Sequence, residues 1–178
     1  MGDIKVLDKE FIISLPAEKI QSRISELAEE LNGDFFGKRP IFLGILNGSF
    51  MFATDLFKRI TIDAQITFLK LASYQGTSST GNVKQLIGLN QEIKDQHIFI
   101  LEDIVDTGET LDTIMRQLSG YLPASIRIAS LLLKPDAYKK DIPIDYVGFR
   151  IPNQFIVGYG LDYNGFGRNY EDIYVLKD

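Results

Sequence analysis

The chain has 178 residues, 45% of them hydrophobic and 24% charged, with a formal net charge of -5. That balance belongs to a folded globular chain of about one domain, long enough to bury a core without cross-links. It contains no cysteine and one histidine, His97, which excludes disulfide scaffolds, thiolate metal sites, cysteine nucleophiles and histidine-rich metal clusters.

The acidic balance argues against general nucleic-acid binding. No stretch approaches the roughly 18–20 apolar residues of a membrane span. Met1 to Phe11 mixes Asp, Lys and Glu with single apolar residues and has no signal-peptide core. A cytoplasmic protein without a membrane partner is expected.

In chain order, Pro16 opens a helix with Ile20, Ile24, Leu27 and Leu31 on one face, and Asn32-Gly33 is expected to stop it. Ile41–Leu46 reads as a buried strand. The turn Asn47-Gly48-Ser49 leads into a second helix carrying Met51, Leu56, Phe57 and Ile60. Ile66–Leu71 is a strand, residues 73–82 are a polar loop or hairpin, and Val83–Leu89 is its returning strand. His97 to Leu101 is a buried strand run, followed by Glu102-Asp103 and then by Asp106-Thr107-Gly108-Glu109-Thr110. Leu111, Ile114, Met115 and Leu118 then take helical spacing. Ser125–Leu133 is a strand ending at Lys134-Pro135. Tyr146–Phe149, Phe155–Val157 and Ile173–Leu176 are short strands.

Strands alternating with helices predict an α/β fold with a mainly parallel sheet flanked by helices. Ligands then bind beyond the carboxyl ends of the strands, where Glu102, Asp103 and Lys134 stand. A strand-to-helix turn exposes free N–H groups and the positive end of the helix dipole, which suits a phosphate. Gly108 allows close approach, and Thr107 and Thr110 add hydroxyls. Asp-Thr-Gly alone reads equally well as a helix cap. The adjacent Glu102-Asp103 pair, costly at the end of a buried strand, favours a hydroxyl-rich ribose or a hydrated Mg2+ nearby.

The run from Leu101 to Thr110 resembles the phosphoribosyl-pyrophosphate signature of type I phosphoribosyltransferases, and is most similar to their hypoxanthine(-guanine) branch. Gly44 to Ser49, Ser73-Tyr74, Ser130 to Lys134, and Val147 through Arg168 extend the resemblance in the family's order. It implies a single domain over 1–178, with a core at about 38–135 and a small hood from about 1–15 and 136–178. The implied reaction transfers the 5-phosphoribosyl group to purine N9 and releases pyrophosphate, with Mg2+ as cofactor.

By the same resemblance, Asp106 to Thr110 cradle the 5′-phosphate, and Asp106 also serves purine N7 as general base or acid. Glu102 and Asp103 face the ribose hydroxyls and Mg2+. Leu46, Asn47 and Gly48 form the pyrophosphate loop, with an unusual cis bond expected at Leu46–Asn47. Many relatives carry Lys or Arg where this chain has Asn47. Ser73 and Tyr74 belong to a lid over the pyrophosphate, and Arg168 meets that group. Lys134 donates to the purine 6-oxo group, Phe155 stacks on the base, Ile156 offers its backbone, and Asp162 serves the purine side and a second Mg2+. The implied partners are phosphoribosyl pyrophosphate, a 6-oxopurine, and further copies of the chain in a homodimer or homotetramer.

Three other readings compete. One is a phosphoribosyltransferase for xanthine or a pyrimidine, and another a non-catalytic sensor of phosphoribosyl pyrophosphate. The third, a receiver-like phosphoacceptor, would place its acidic pair on the first strand. A dinucleotide-binding domain fails for want of a Gly-x-Gly-x-x-Gly turn.

Overall fold

The computed structural model describes residues 2–72, 84–87 and 92–177. Its elements run β1 (Ile4–Val6), β2 (Lys9–Leu15), α1 (Ala17–Asp34), β3 (Ile41–Leu46), α2 (Phe50–Phe57), β4 (Gln65–Ala72), β5 (Lys84–Ile87), β6 (His97–Val105), α3 (Glu109–Ser119), β7 (Ser125–Leu133), β8 (Tyr146–Arg150), β9 (Ile156–Val157) and β10 (Ile173–Leu176).

Two sheets result. The larger has the order β5-β4-β3-β6-β7-β8, parallel except for β5. Its central strands β3, β6 and β7 carry near-continuous buried apolar runs because both faces are covered there. Phe42, Phe99, Leu101 and Leu131 face α1 and α2. Ile41, Leu43, Ile98 and Ile100 face the α3 side, with Leu111, Ile114 and Leu118. The smaller sheet is antiparallel, in the order β1-β2-β10-β9, over its own core of Val6, Phe11, Val157 and Tyr174. It is the hood, built from the two ends of the chain. Among the described residues no helix is long and apolar enough to cross a membrane.

Several expected boundaries move. Asn32-Gly33 does not stop α1, which runs to Asp34. The extra turn brings Phe35 into the core, with its ring 4.4 Å from that of Phe99. Ile60 lies beyond α2, yet it packs on the same core. β6 continues through Glu102 and Asp103, because pairing with β7 carries on to Val105↔Leu133. β8, assigned by sequence to the hood, extends the large sheet beside β7, and α1 packs against the core as well. The β1–β2 hairpin has no counterpart in the strand pattern read from sequence. The expected returning strand is described over Lys84–Ile87, and residues 88–91 lie outside the described residues.

Candidate active site

Unequal strand ends create the site. β3 pairs with β6 only as far as Gly44↔Leu101. Past Leu101, β6 is held by β7 alone, so its β3-facing edge is open at Glu102 and Asp103. The chain leaving β3 turns across that edge. A cis peptide joins Leu46 to Asn47 there, as expected, and the Ser49 hydroxyl donates to Ile45 O at 2.6 Å. Gly48 is packed so closely that a Cβ would lie 1.6 Å from Asp103 Oδ2. Only glycine lets this turn sit on the carboxylate.

A cleft of about 570 Å³ opens here, lined by Leu46, Gly48, Glu102, Asp103 and every residue from Asp106 to Thr110. Gly108 caps α3 with φ +87. A Cβ on it would meet Tyr138 at 2.6 Å and Lys140 at 2.8 Å, so the residues after β7 press on the turn from behind. The first free N–H groups of α3 point into the turn, as a phosphate requires. The Glu109 carboxylate is drawn aside by Lys140 Nζ at 2.8 Å, which removes its charge from the anion's path.

Burial governs the acidic pair. Glu102 is 6% exposed. Desolvation, and then the neighbouring Asp103 charge, push its carboxyl well above the ordinary range. Desolvation also pushes Asp103 up, to about 6, while backbone N–H donors and Arg168 pull it down and Asp162 adds to the rise. Such groups stay ionised at little cost only beside a cation or donors. Among the described residues no three His, Cys, Asp or Glu side chains form a metal cluster. The two carboxylates suit a hard cation that keeps waters and takes its other ligands from substrate phosphates.

Lys134 ends β7 with its side chain 10% exposed, and its ammonium donates to Asp106 Oδ2 at 2.8 Å; the Asp106 side chain is 44% exposed. A buried donor is thus tied to a carboxylate open to the cleft. Arg168 is fixed twice, by Asp162 Oδ1 at 2.5 Å and by Gly160 O at 2.6 Å. Phe155 is 45% exposed, flanked by Phe11 and Tyr163 with ring centroids at 6.2 and 5.7 Å. Its exposed ring can take a flat partner. Leu176 N–H donates to Phe155 O at 2.9 Å. The Ile156↔Val175 pair is therefore the non-hydrogen-bonded one, and the Ile156 N–H and C=O point off the free edge of β9.

Lys134, Phe155, Ile156, Asp162 and Arg168 do not line the phosphate cleft itself. They join it through Asp106 and through the contact between Gly160 and Gly48, where a Cβ on Gly160 would lie 2.0 Å from Gly48 O. Ser73 and Tyr74 lie outside the described residues. Sequence reading passes over Gly160, Tyr138 and Lys140. The one signal for the first is the Gly158-Tyr159-Gly160 alternation; the other two act through packing that no local pattern encodes.

Comparison with known proteins gives a consistent result. A family model described as a phosphoribosyl transferase domain matches residues 15–164. A Staphylococcus aureus protein named hypoxanthine-guanine phosphoribosyltransferase is 43% identical over 166 residues, covering 93% of each chain. A Mycobacterium tuberculosis protein of the same name is 41% identical over 170 residues, covering 92% of this chain and 81% of that one. The crystal structure of a Staphylococcus aureus hypoxanthine phosphoribosyltransferase superposes with a TM-score of 0.87 at 43% identity, covering 93% of this chain and 90% of that one.

Proposed function

The chain belongs to the phosphoribosyltransferase family, and from that premise we propose that it serves purine salvage, moving the 5-phosphoribosyl group of phosphoribosyl pyrophosphate to N9 of hypoxanthine and guanine. The observation that carries the base assignment is the buried Lys134 ammonium bonded to Asp106 beside the phosphate turn. An ammonium donates and never accepts. It suits a 6-oxo group and rejects the 6-amino group of adenine. With three N–H bonds it can keep Asp106 while donating to the base, which sets that carboxylate beside N7, where it holds or gives up the ring proton.

The remaining residues divide the phosphoribosyl substrate among them. Gly108, Thr107 and Thr110 with the α3 N-terminus take the 5′-phosphate. Glu102 and Asp103 take the ribose hydroxyls. The 46–48 turn and Arg168 take the leaving pyrophosphate, with Ser73 and Tyr74 proposed to cover it. Asn47 brings no charge, so this half of the site relies on backbone N–H groups and Arg168. Charge develops as C1′ becomes oxocarbenium-like and pyrophosphate departs, and fixed dipoles and cations aimed there lower the barrier. Mg2+, held by Glu102 and Asp103 with Asp162 serving a second ion, would neutralise the pyrophosphate. Phe155 and Ile156 would hold the base by stacking and by the free β9 edge. We further propose a cytoplasmic homodimer or homotetramer.

The test is a spectrophotometric transfer assay with phosphoribosyl pyrophosphate, Mg2+ and one base at a time. Nucleotide from hypoxanthine and guanine, none from adenine, and loss of turnover on adding chelator are expected. Retained binding of phosphoribosyl pyrophosphate with no turnover on any base would overturn the proposal in favour of a sensor.

A further inference from the structure

Gly158, Tyr159 and Gly160 all lie at positive φ, at +98, +47 and +97. Two glycines adopt this freely, whereas a tyrosine does so at a cost of about 1 kcal/mol or more. Both glycines are also pinned by contact. A Cβ on Gly158 would lie 2.1 Å from Asp172 O, and one on Gly160 would lie 2.0 Å from Gly48 O. The tyrosine between them is 1% exposed. Its hydroxyl donates to Asp55 Oδ2 at 2.6 Å and accepts from Gln21 Nε2 at 3.2 Å.

Asp55 is well placed to hold it. It stands on α2, the helix that begins at the 46–49 turn. Gln21 of α1 donates to the same Oδ2 at 2.7 Å, Lys58 Nζ meets Oδ1 at 2.7 Å, and Arg59 donates to the Asp55 backbone oxygen at 2.7 Å and to Gln21 Oε1 at 2.9 Å. The loop is thus held at two places: backbone against backbone at Gly160 and Gly48 in the turn before α2, and phenol against carboxylate at Tyr159 and Asp55 on α2. What this loop presents is Arg168, whose guanidinium bonds Gly160 O and whose backbone oxygen accepts from Gly160 N–H at 2.9 Å.

We propose that Tyr159, anchored by Asp55, is a positioning residue for the pyrophosphate half of the site: it fixes the distance between the 46–48 turn and Arg168. The inference rests on the proposed transferase reading. Neither side chain touches substrate. Losing the phenol hydroxyl removes the loop's polar tie to α2 and leaves only packing there, at the Tyr159 ring and at Gly160, so the groups that meet the leaving pyrophosphate lose their fixed spacing. The base side, held by Lys134 and the β9 edge, is untouched.

Steady-state kinetics on Tyr159→Phe, Asp55→Ala and Asp55→Asn test this. In Tyr159→Phe the KM for phosphoribosyl pyrophosphate should rise about tenfold, the scale of one hydrogen bond to a charged group, while the KM for hypoxanthine stays within about twofold. Asp55→Ala should match it. Asp55→Asn, which keeps an acceptor, should fall between Asp55→Ala and the unaltered protein. The double variant Tyr159→Phe with Asp55→Ala should be no worse than Asp55→Ala alone, as two ends of one interaction require. Melting curves establish that each variant is folded at the assay temperature; should Tyr159→Phe not be, the ordering of the two Asp55 variants decides. An unchanged KM for phosphoribosyl pyrophosphate, or equal rises in both KM values, overturns the positioning role. Absence of turnover in the unaltered protein would instead remove the transferase reading.

Discussion

The Lys134 ammonium is enclosed at the end of β7, and its one ion-pair partner among the described residues is Asp106. Replacing it with alanine should raise the KM for hypoxanthine at least about tenfold with little change for phosphoribosyl pyrophosphate, since a buried site built to donate loses its donor; parallel initial-rate series in each substrate measure this. On the neighbouring strand β6, the buried Glu102 strains the ligand-free protein. Its carboxyl titrates higher folded than unfolded. The stability it contributes is therefore full below about pH 4 and is lost as pH rises through the folded value. Glu102→Gln should melt higher than the unaltered protein above about pH 7, by about 2–4 °C per kcal/mol recovered, while binding phosphoribosyl pyrophosphate with Mg2+ more weakly. Scanning calorimetry without ligand separates the two effects. These residues were legible in sequence because their chemistry is expensive: charges at the ends of apolar strands need a reason. Tyr159 and Asp55 were not, since one looks like core and the other like an exposed helix acid until the fold brings them to 2.6 Å.

Among the elements, the strand–turn–helix unit of β6 and α3 carries the phosphate site, and Gly108 is its hinge in the geometric sense. Gly108→Ala would place a methyl on a left-handed residue, against Tyr138 and Lys140. The backbone penalty alone is about 1–2 kcal/mol. Isothermal titration should show phosphoribosyl pyrophosphate binding weakened at least about tenfold, with hypoxanthine binding to the nucleotide-free protein less affected. Apolar runs located β3, β6 and β7 well because parallel strands covered on both faces leave a strong signal. Strand ends were read less well. β6 outlasts its partner β3, and no local propensity records which neighbour stops first. The β1–β2 hairpin was also obscured. Only every second residue of β2 faces inward, and its turn uses Leu7 at φ 54 in place of the usual Asn or Gly.

Across the whole molecule, Asp55 joins α1, α2 and the hood loop. Burial raises its carboxyl, but donation from Lys58, Tyr159 and Gln21 outweighs this and leaves it below its ordinary value. A lowered carboxyl contributes stability above its unfolded value, and that stability is lost as pH falls through the folded one. Thermal melts of Asp55→Asn should accordingly lose less stability than the unaltered protein on acidification below about pH 4. The two-sheet division itself was legible only through the family motifs. Pairing between strands at opposite ends of a chain leaves no periodicity to read.

The distant pairing in the hood has a consequence for order of assembly. The N–H of Ala17, at the start of α1, is capped by the Asp172 carboxylate at 2.7 Å, across 155 residues, and β10 must find β2 over a similar separation. The large sheet forms from strands nearer in sequence, whereas the hood, beyond its β1–β2 hairpin and β9–β10 pair, must close a long loop before its two halves meet. The 5′-phosphate turn is seated on the large sheet, while Arg168, the Phe155 face and the Ile156 edge take their places only once the hood has closed. A nascent chain would acquire its anion site and the Lys134 donor before it had a surface on which to hold a base. In graded urea the order should reverse, with hypoxanthine binding lost before the far-ultraviolet signal of the main sheet and its helices.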